Sequence, residues 1–263
     1  MGNTASVKSN LKFKIIDNKS DADRLLQDAE KVDFYLAECH DDRSNSYARR
    51  SLTYAPNRMS HTDLQSAQLQ LDQVLYQIPK RLLDDIGTVN IIQLMPTADG
   101  GMPHTRPGNI ICYPDISRIA SVTTLIHELW HIHQRNYQDV WTTIFNKLGW
   151  SEWDGRLPMS LDKHRRYNPD TIDAPLWIFQ KRWVPIPIFK HITLPVISDV
   201  DIWYYDIKEE YHVKDIPEKL NTYFPGVSPS AYEHPRELTA YMLSEPDRYK
   251  SSPAFIDLLK LLS

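Results

Sequence analysis

Cysteine is nearly absent from this 263-residue chain, which contains only Cys39 and Cys112. Two isolated thiols make neither a disulfide framework nor a cysteine-based zinc site, and they suit a reducing compartment. Long apolar runs are missing too. None approaches the ~20 residues that a bilayer-crossing helix needs, and the N-terminus lacks the apolar h-region of a secretory signal. There is no basic excess either: the formal net charge is −4, which gives no reason to expect a nucleic-acid partner. Glycine is scarce, 8 residues against 18 prolines, while tyrosine (14) and tryptophan (7) are plentiful. That balance suits long ordered loops and an aromatic-lined interior or cleft. Length and composition fit a cytoplasmic globular protein, either one large domain or two lobes sharing a core.

The N-terminus carries a short signal of its own. Met1-Gly2-Asn3-Thr4-Ala5-Ser6 matches M-G-x-x-x-[S/T], the N-myristoylation acceptor, with Gly2 modified after Met1 is removed. One such chain gives only marginal membrane binding, to which Lys8, Lys12 and Lys14 would each add ~1 kcal/mol near an anionic leaflet. Peripheral, reversible membrane association in a eukaryotic host is the expectation. Residues 1–10 then read as an acylated arm and 11–263 as one domain, with lobes of about 11–149 and 150–263.

Periodicity outlines the domain. Leu11 to Ile16 alternates as a strand, and Ala22 to about Cys39 reads as a helix behind an Asn18–Asp21 cap. Thr62-Asp63 caps a helix from Leu64 to about Ile86, with Pro79 expected to kink or end it. Val89–Met95 and 109–113 read as strands around a turn-rich loop, 98–108. Helices follow from about Ser117 to Tyr137 and from Val140 to Leu148. Residues 150–173 read as loop. Short aromatic runs punctuated by proline make 174–215 a β-rich insertion bordering the cleft.

The informative stretch is His127-Glu128-Leu129-Trp130-His131. Residues four apart share one helix face, so the two imidazoles can reach one cation at Zn–N ~2.0–2.1 Å. Glu128 sits beside the ion without binding it, placed to take a proton from zinc-bound water. Val122, Leu125, Ile126, Leu129 and Ile132 recur at helical intervals and form the buried stripe. This H-E-x-x-H pattern is that of zinc-dependent peptidases. The metzincin extension would need Gly and His where Gln134 and Tyr137 stand. His133 faces another side of the helix and reads as a packing or surface residue.

A third protein ligand has to come from downstream. Pro235-Arg236-Glu237-Leu238-Thr239-Ala240 opens a helix, and the sequence Pro-x-Glu-x-x-Ala resembles the second signature of gluzincin-type peptidases. The resemblance implies one Zn²⁺ held by His127, His131 and Glu237, with Glu128 as general base. Two positions depart from it: His234 stands where Asn is expected, and Tyr241 stands one turn after Glu237. Glu233, His234, His164 and His212 are the other downstream donors. For the oxyanion, Tyr241, Tyr232, His164 and Arg165 are candidates, and Tyr241 is the one facing the metal if it shares the face of Glu237. By the same resemblance, strand 109–113 would be an edge strand that pairs with extended substrate.

The implied fold is α+β and zincin-like, mostly helical, with a small mixed sheet next to the active-site helix. The implied activity is zinc-dependent hydrolysis of a peptide or protein substrate. The rival expectations are a membrane-anchored structural or interaction protein that keeps the zinc site without turnover, and a zinc hydrolase acting on a non-peptide amide.

Overall fold

The computed structural model describes residues 9–39, 44–50 and 52–263; Gly2, Lys8 and the rest of the acylation motif lie outside the described residues. The protein is α+β, with two sheets separated in sequence. The first contains β1 (Lys12–Ile15), β2 (Thr88–Gln93), β3 (His104–Arg106) and β4 (Ile110–Tyr113), in the order β1-β2-β4-β3. β1, β2 and β4 are parallel, with Lys12 opposite Thr88 and Asn90 opposite Ile110, whereas β3 runs antiparallel with Thr105 opposite Ile111. Ile91, Ile92, Ile110 and Ile111 are buried, as expected for strands covered on both faces. The second sheet is antiparallel and follows chain order: β5 (Trp150–Trp153), β6 (Leu176–Phe179), β7 (Trp183–Phe189), β8 (Val200–Asp206) and β9 (Tyr211–Val213).

Helices fill the connections. Between β1 and β2 come α1 (Lys19–Asp33), α2 (Ser44–Arg49), α3 (His61–Val74) and α4 (Lys80–Asp85). After β4 come α5 (Val122–Asn136) and α6 (Gln138–Lys147), and α7 (Met159–Asp162) lies between β5 and β6. The chain closes with α8 (Glu218–Tyr223), α9 (Pro235–Ser244), α10 (Pro246–Tyr249) and α11 (Pro253–Leu262). Leu125, Leu129 and Ile132 of α5 join Ile91, Ile111, Leu238 and Met242 in one continuous core. α5 is therefore clamped between the first sheet and α9. Among the described residues, no helix is long and apolar enough to cross a membrane.

Several boundaries differ from the sequence expectation. α5 begins at Val122 because the Ser121 side chain accepts from Thr124 N–H; residues 116–120 form a separate 3-10 turn capped by Asp115. α1 stops at Asp33, since Phe34 takes the left-handed conformation at φ 51°. The expected 64–86 helix starts earlier, capped by Ser60 in place of Thr62-Asp63, and breaks into α3, a 3-10 turn at Leu75–Gln77, and α4 after Pro79. Residues 150–173 are not all loop, for they hold β5 and α7, so the second sheet starts well before residue 174.

The substrate-pairing expectation for 109–113 is corrected outright. β4 lies inside the sheet, and the edge is β3, a three-residue strand within the expected loop. The outward amide of Thr105 is already used, donating to Asp170 Oδ1 at 2.6 Å.

Candidate metal centre

α5 and α9 each present ligands across their shared face. His127 and His131, one turn apart on α5, bring their Nε2 atoms to 2.9 Å of each other. Glu237 lies in the first turn of α9, whose start is set by Pro235 at N1 and by His234, whose ring accepts from Arg236 N–H. Its Oε2 stands 3.4 Å from His127 Nε2 and 3.5 Å from His131 Nε2. Ligands on a tetrahedral zinc with bonds near 2.0–2.1 Å are separated by about 3.4 Å. Among the described residues, this trio is the group whose donor atoms fall within 4.8 Å of one another. His127, His131 and Glu237 could hold a metal ion.

The hydrogen bonds around the trio fix which atoms are free to ligate. Gln134 Nε2 donates to the carbonyl of Arg236 and to Thr239 Oγ1, both at 3.0 Å. A carbonyl can only accept, so the amide orientation is determined and Gln134 Oε1 must accept from His131 Nδ1, 3.0 Å away. With Nδ1–H held in this way, Nε2, which faces Glu237, is the ring atom that is free to ligate once the ring is neutral. On the other helix, Asn168 Nδ2 donates to Glu237 Oε1 at 2.9 Å and also to Glu233 Oε1, which turns Oε2 of Glu237 toward the imidazoles.

Charge points the same way. Glu233 is paired with Arg166 and Asp99 with Arg49. Asp173 is bound by both Arg135 and Arg236. Asp170 accepts from the Thr105 amide and hydroxyl and also feels Arg236. Among the described residues, Glu128 and Glu237 have no guanidinium or ammonium bound to them. Among the described residues the imidazoles of His127 and His131 are the groups that face the Glu237 carboxylate, and a divalent cation held by the three would supply positive charge in place of their protons.

The proton affinities reflect this pairing. Burial would lower His131, but the facing Glu237 and Asp170 carboxylates overcome it and hold the imidazole up at about 9. Burial would raise Glu237, yet His131 and His127 keep it well below the carboxylate range. Glu128 is pushed well above that range by burial, with Asp170 adding to the effect. Among the described residues its buried Oε2 has no hydrogen-bond partner.

A cavity of about 340 Å³ opens over the trio, lined by Met102, Thr124, Glu128, Arg166 and Tyr241 among others. The Tyr241 ring meets His127 edge-on at 4.6 Å between centroids. Burial raises its hydroxyl to about 12, so at neutral pH it remains a donor.

The other sequence candidates are engaged in bonds of their own, Glu233 at the cavity wall and the rest away from it. Glu233 is tied to Arg166 and Asn168, and the His234 ring caps α9. His164 bonds Ser44, and His212 stacks on Trp203 at 4.6 Å. Tyr232 donates to the Phe224 carbonyl in the core, and Arg165 lies over the Tyr167 ring. His133 packs between Asp85 and the Trp141 indole N–H. Sequence reasoning passed over Asn168, Arg166 and Asp170 in a stretch read as loop. Gln134 was noticed only as the residue that replaces the metzincin glycine. No protein-family model, curated protein or solved structure matches this chain.

Proposed function

We propose that the protein is a zinc-dependent metallopeptidase of zincin type, with His127, His131 and Glu237 holding one Zn²⁺ and Glu128 as general base. The observation that carries this reading is Glu128 itself. It is buried beside the ligand trio, and among the described residues no Lys or Arg is bound to it and its Oε2 has no hydrogen-bond partner. An idle buried carboxylate is costly to a fold, and its place beside the ligand trio is where a general base for metal-bound water would stand. Zinc bound there supplies Lewis acidity, bringing a water ligand to a pKa of about 7 and polarising a carbonyl.

The chain's own groups supply the rest. Glu128 accepts a proton from the attacking water and passes it to the nitrogen of the departing amine. Tyr241, which keeps its proton, donates to the oxygen on which negative charge develops. Gln134 and Asn168 hold His131 and Glu237 in the required orientation. The β3 edge contributes little main-chain pairing, because the Thr105 amide is taken by Asp170, so substrate recognition falls to side chains lining the cavity.

A purely structural zinc site, the rival reading, is usually closed by four protein ligands. Among the described residues three converge here. The deciding experiment is Glu128→Gln, assayed on a mixed peptide library by mass spectrometry with zinc content measured in parallel. The variant should keep its zinc and lose about 10²–10⁴-fold in turnover; unchanged turnover removes Glu128 from the mechanism. Acylation at Gly2 is checked separately, by the intact mass of protein co-expressed with a myristoyl transferase.

A further inference from the structure

The connection between β7 and β8 departs from the usual polar character of loops. Ile192, Leu194 and Val196 are 50%, 78% and 51% exposed, three aliphatic side chains within five residues. Scattered single apolar residues on a surface need no explanation, but a cluster does. The loop that carries them is well braced. Lys190 N–H bonds the Asp199 carbonyl and Asp199 N–H bonds the Val196 carbonyl, at 3.1 and 2.9 Å. Lys190 Nζ also lies 2.8 Å from Asp199 and 3.8 Å from Asp201. At the root, Ile197 is buried and lines the metal cavity, and Ser198 packs against Gly100 so closely that a Cβ on Gly100 would lie 3.3 Å from it.

We propose that this hairpin is a membrane-docking loop, whose aliphatic tip inserts shallowly into a lipid bilayer beside the mouth of the metal cavity. Three observations favour lipid over a protein partner. The large exposed side chains of the tip are all aliphatic, whereas protein interfaces draw their energy from Trp, Tyr and Arg, with Leu and Val under-represented. No acidic residue occurs from His191 to Ser198, and the charged groups Lys190, His191, Asp199 and Asp201 gather at the root, so insertion of the tip from Ile192 to Val196 desolvates no charge. Independently, the sequence beginning Met1-Gly2 matches an acyl acceptor, and one myristoyl chain anchors only marginally, so stable association takes a second signal. α2, whose Ala48 shares an apolar cluster with Phe189 and Ile197, adds an exposed Tyr47 with Arg50 4.1 Å over its ring. Such amphipathic side chains suit the headgroup level. Docked this way, the cavity would face substrates held at or near the bilayer surface.

The test is co-sedimentation of the full chain with phosphatidylcholine vesicles, with and without phosphatidylserine, at millimolar lipid. Ile192→Ser/Leu194→Ser/Val196→Ser should lower the partition coefficient roughly tenfold or more, with Tm almost unchanged because the three side chains are exposed. Equal partition of wild type and variant, or no sedimentation of either, overturns the proposal. So does a wild-type dimer that the variant turns monomeric while vesicle binding stays the same, since that outcome assigns the tip to a second copy of the chain. The readout does not depend on turnover and stands whether or not the peptidase reading holds.

Discussion

The two helices that meet at the metal centre secure their ligands by different means. On α5 the support is local, because His131 leans on Gln134 three residues later in the same helix. On α9 it is remote. Glu237 depends on Asn168, 69 residues earlier in the chain, and Asn168 is itself shared with Glu233. A local bond is available as soon as the helix forms, whereas a remote one requires the whole 165–173 segment to be ordered first. Secondary structure thus spaces the histidine pair and brings Gln134 to His131, while tertiary contacts orient the Gln134 amide and aim the carboxylate.

Deleting a ligand from either side should erase the distinction, and this is the largest effect expected. His131→Ala and Glu237→Ala should each reduce zinc affinity by more than the about 10–100-fold that loss of an outer partner costs, read by competition with a chromophoric chelator. A variant that binds zinc as tightly as wild type excludes that residue as a ligand.

The supporting residues sharpen the comparison. Asn168→Ala should lower zinc affinity about 10–100-fold, and Asn168→Asp should lower it further by setting a third carboxylate against Glu233 and Glu237. Gln134→Ala should cost a similar factor and, in addition, about 2–3 kcal/mol of folding stability, because the Arg236 carbonyl and Thr239 hydroxyl lose their buried donor. Urea denaturation of the zinc-free variants separates the two effects. Equal stability loss in Gln134→Ala and Asn168→Ala would show that both supports are alike.

Acidity probes the same pair without mutation. The His131 pKa is raised to about 9 from an ordinary value of 6.5. Its contribution to the stability of zinc-free protein is therefore complete below about pH 6.5 and is lost as pH rises through 9. Zinc binding needs the neutral ring and strengthens over the same interval. Tm of the zinc-free protein should fall from pH 6.5 to 9 while zinc affinity climbs; a flat zinc-free profile contradicts the His131–Glu237 ion pair. The smallest effect belongs to Thr239→Val, which removes one of two acceptors for the Gln134 amide. It should cost about 1 kcal/mol in stability and leave zinc affinity nearly unchanged.

This division also explains what could be read from the residues alone. α5 was legible because its apolar stripe and its histidines both follow the helical repeat, and the start of α9 because Pro235 announces it. β6, β7 and β8 showed through their aromatic and β-branched runs. β3 did not, since three residues between glycine- and proline-rich turns leave no period to detect. β5 was missed for a similar reason, being four residues directly after Gly149. Asn168 carried no signal: a single asparagine has neither repeat nor spacing, and only the path of the chain brings it to Glu237. Arg166 and Asp170 are hidden in the same way, and nothing in the sequence separates Arg166, which pairs with Glu233, from Arg165, which lies over Tyr167.

Because the Gln134 amide grips the Arg236 carbonyl as well as the His131 side, the two ligand-bearing helices are fastened in register before any ion arrives. Uptake of zinc should therefore be a single second-order event, linear in metal concentration in stopped-flow traces, with no slower phase from backbone rearrangement. In this respect the protein would contrast with small zinc domains that acquire their shape only on loading.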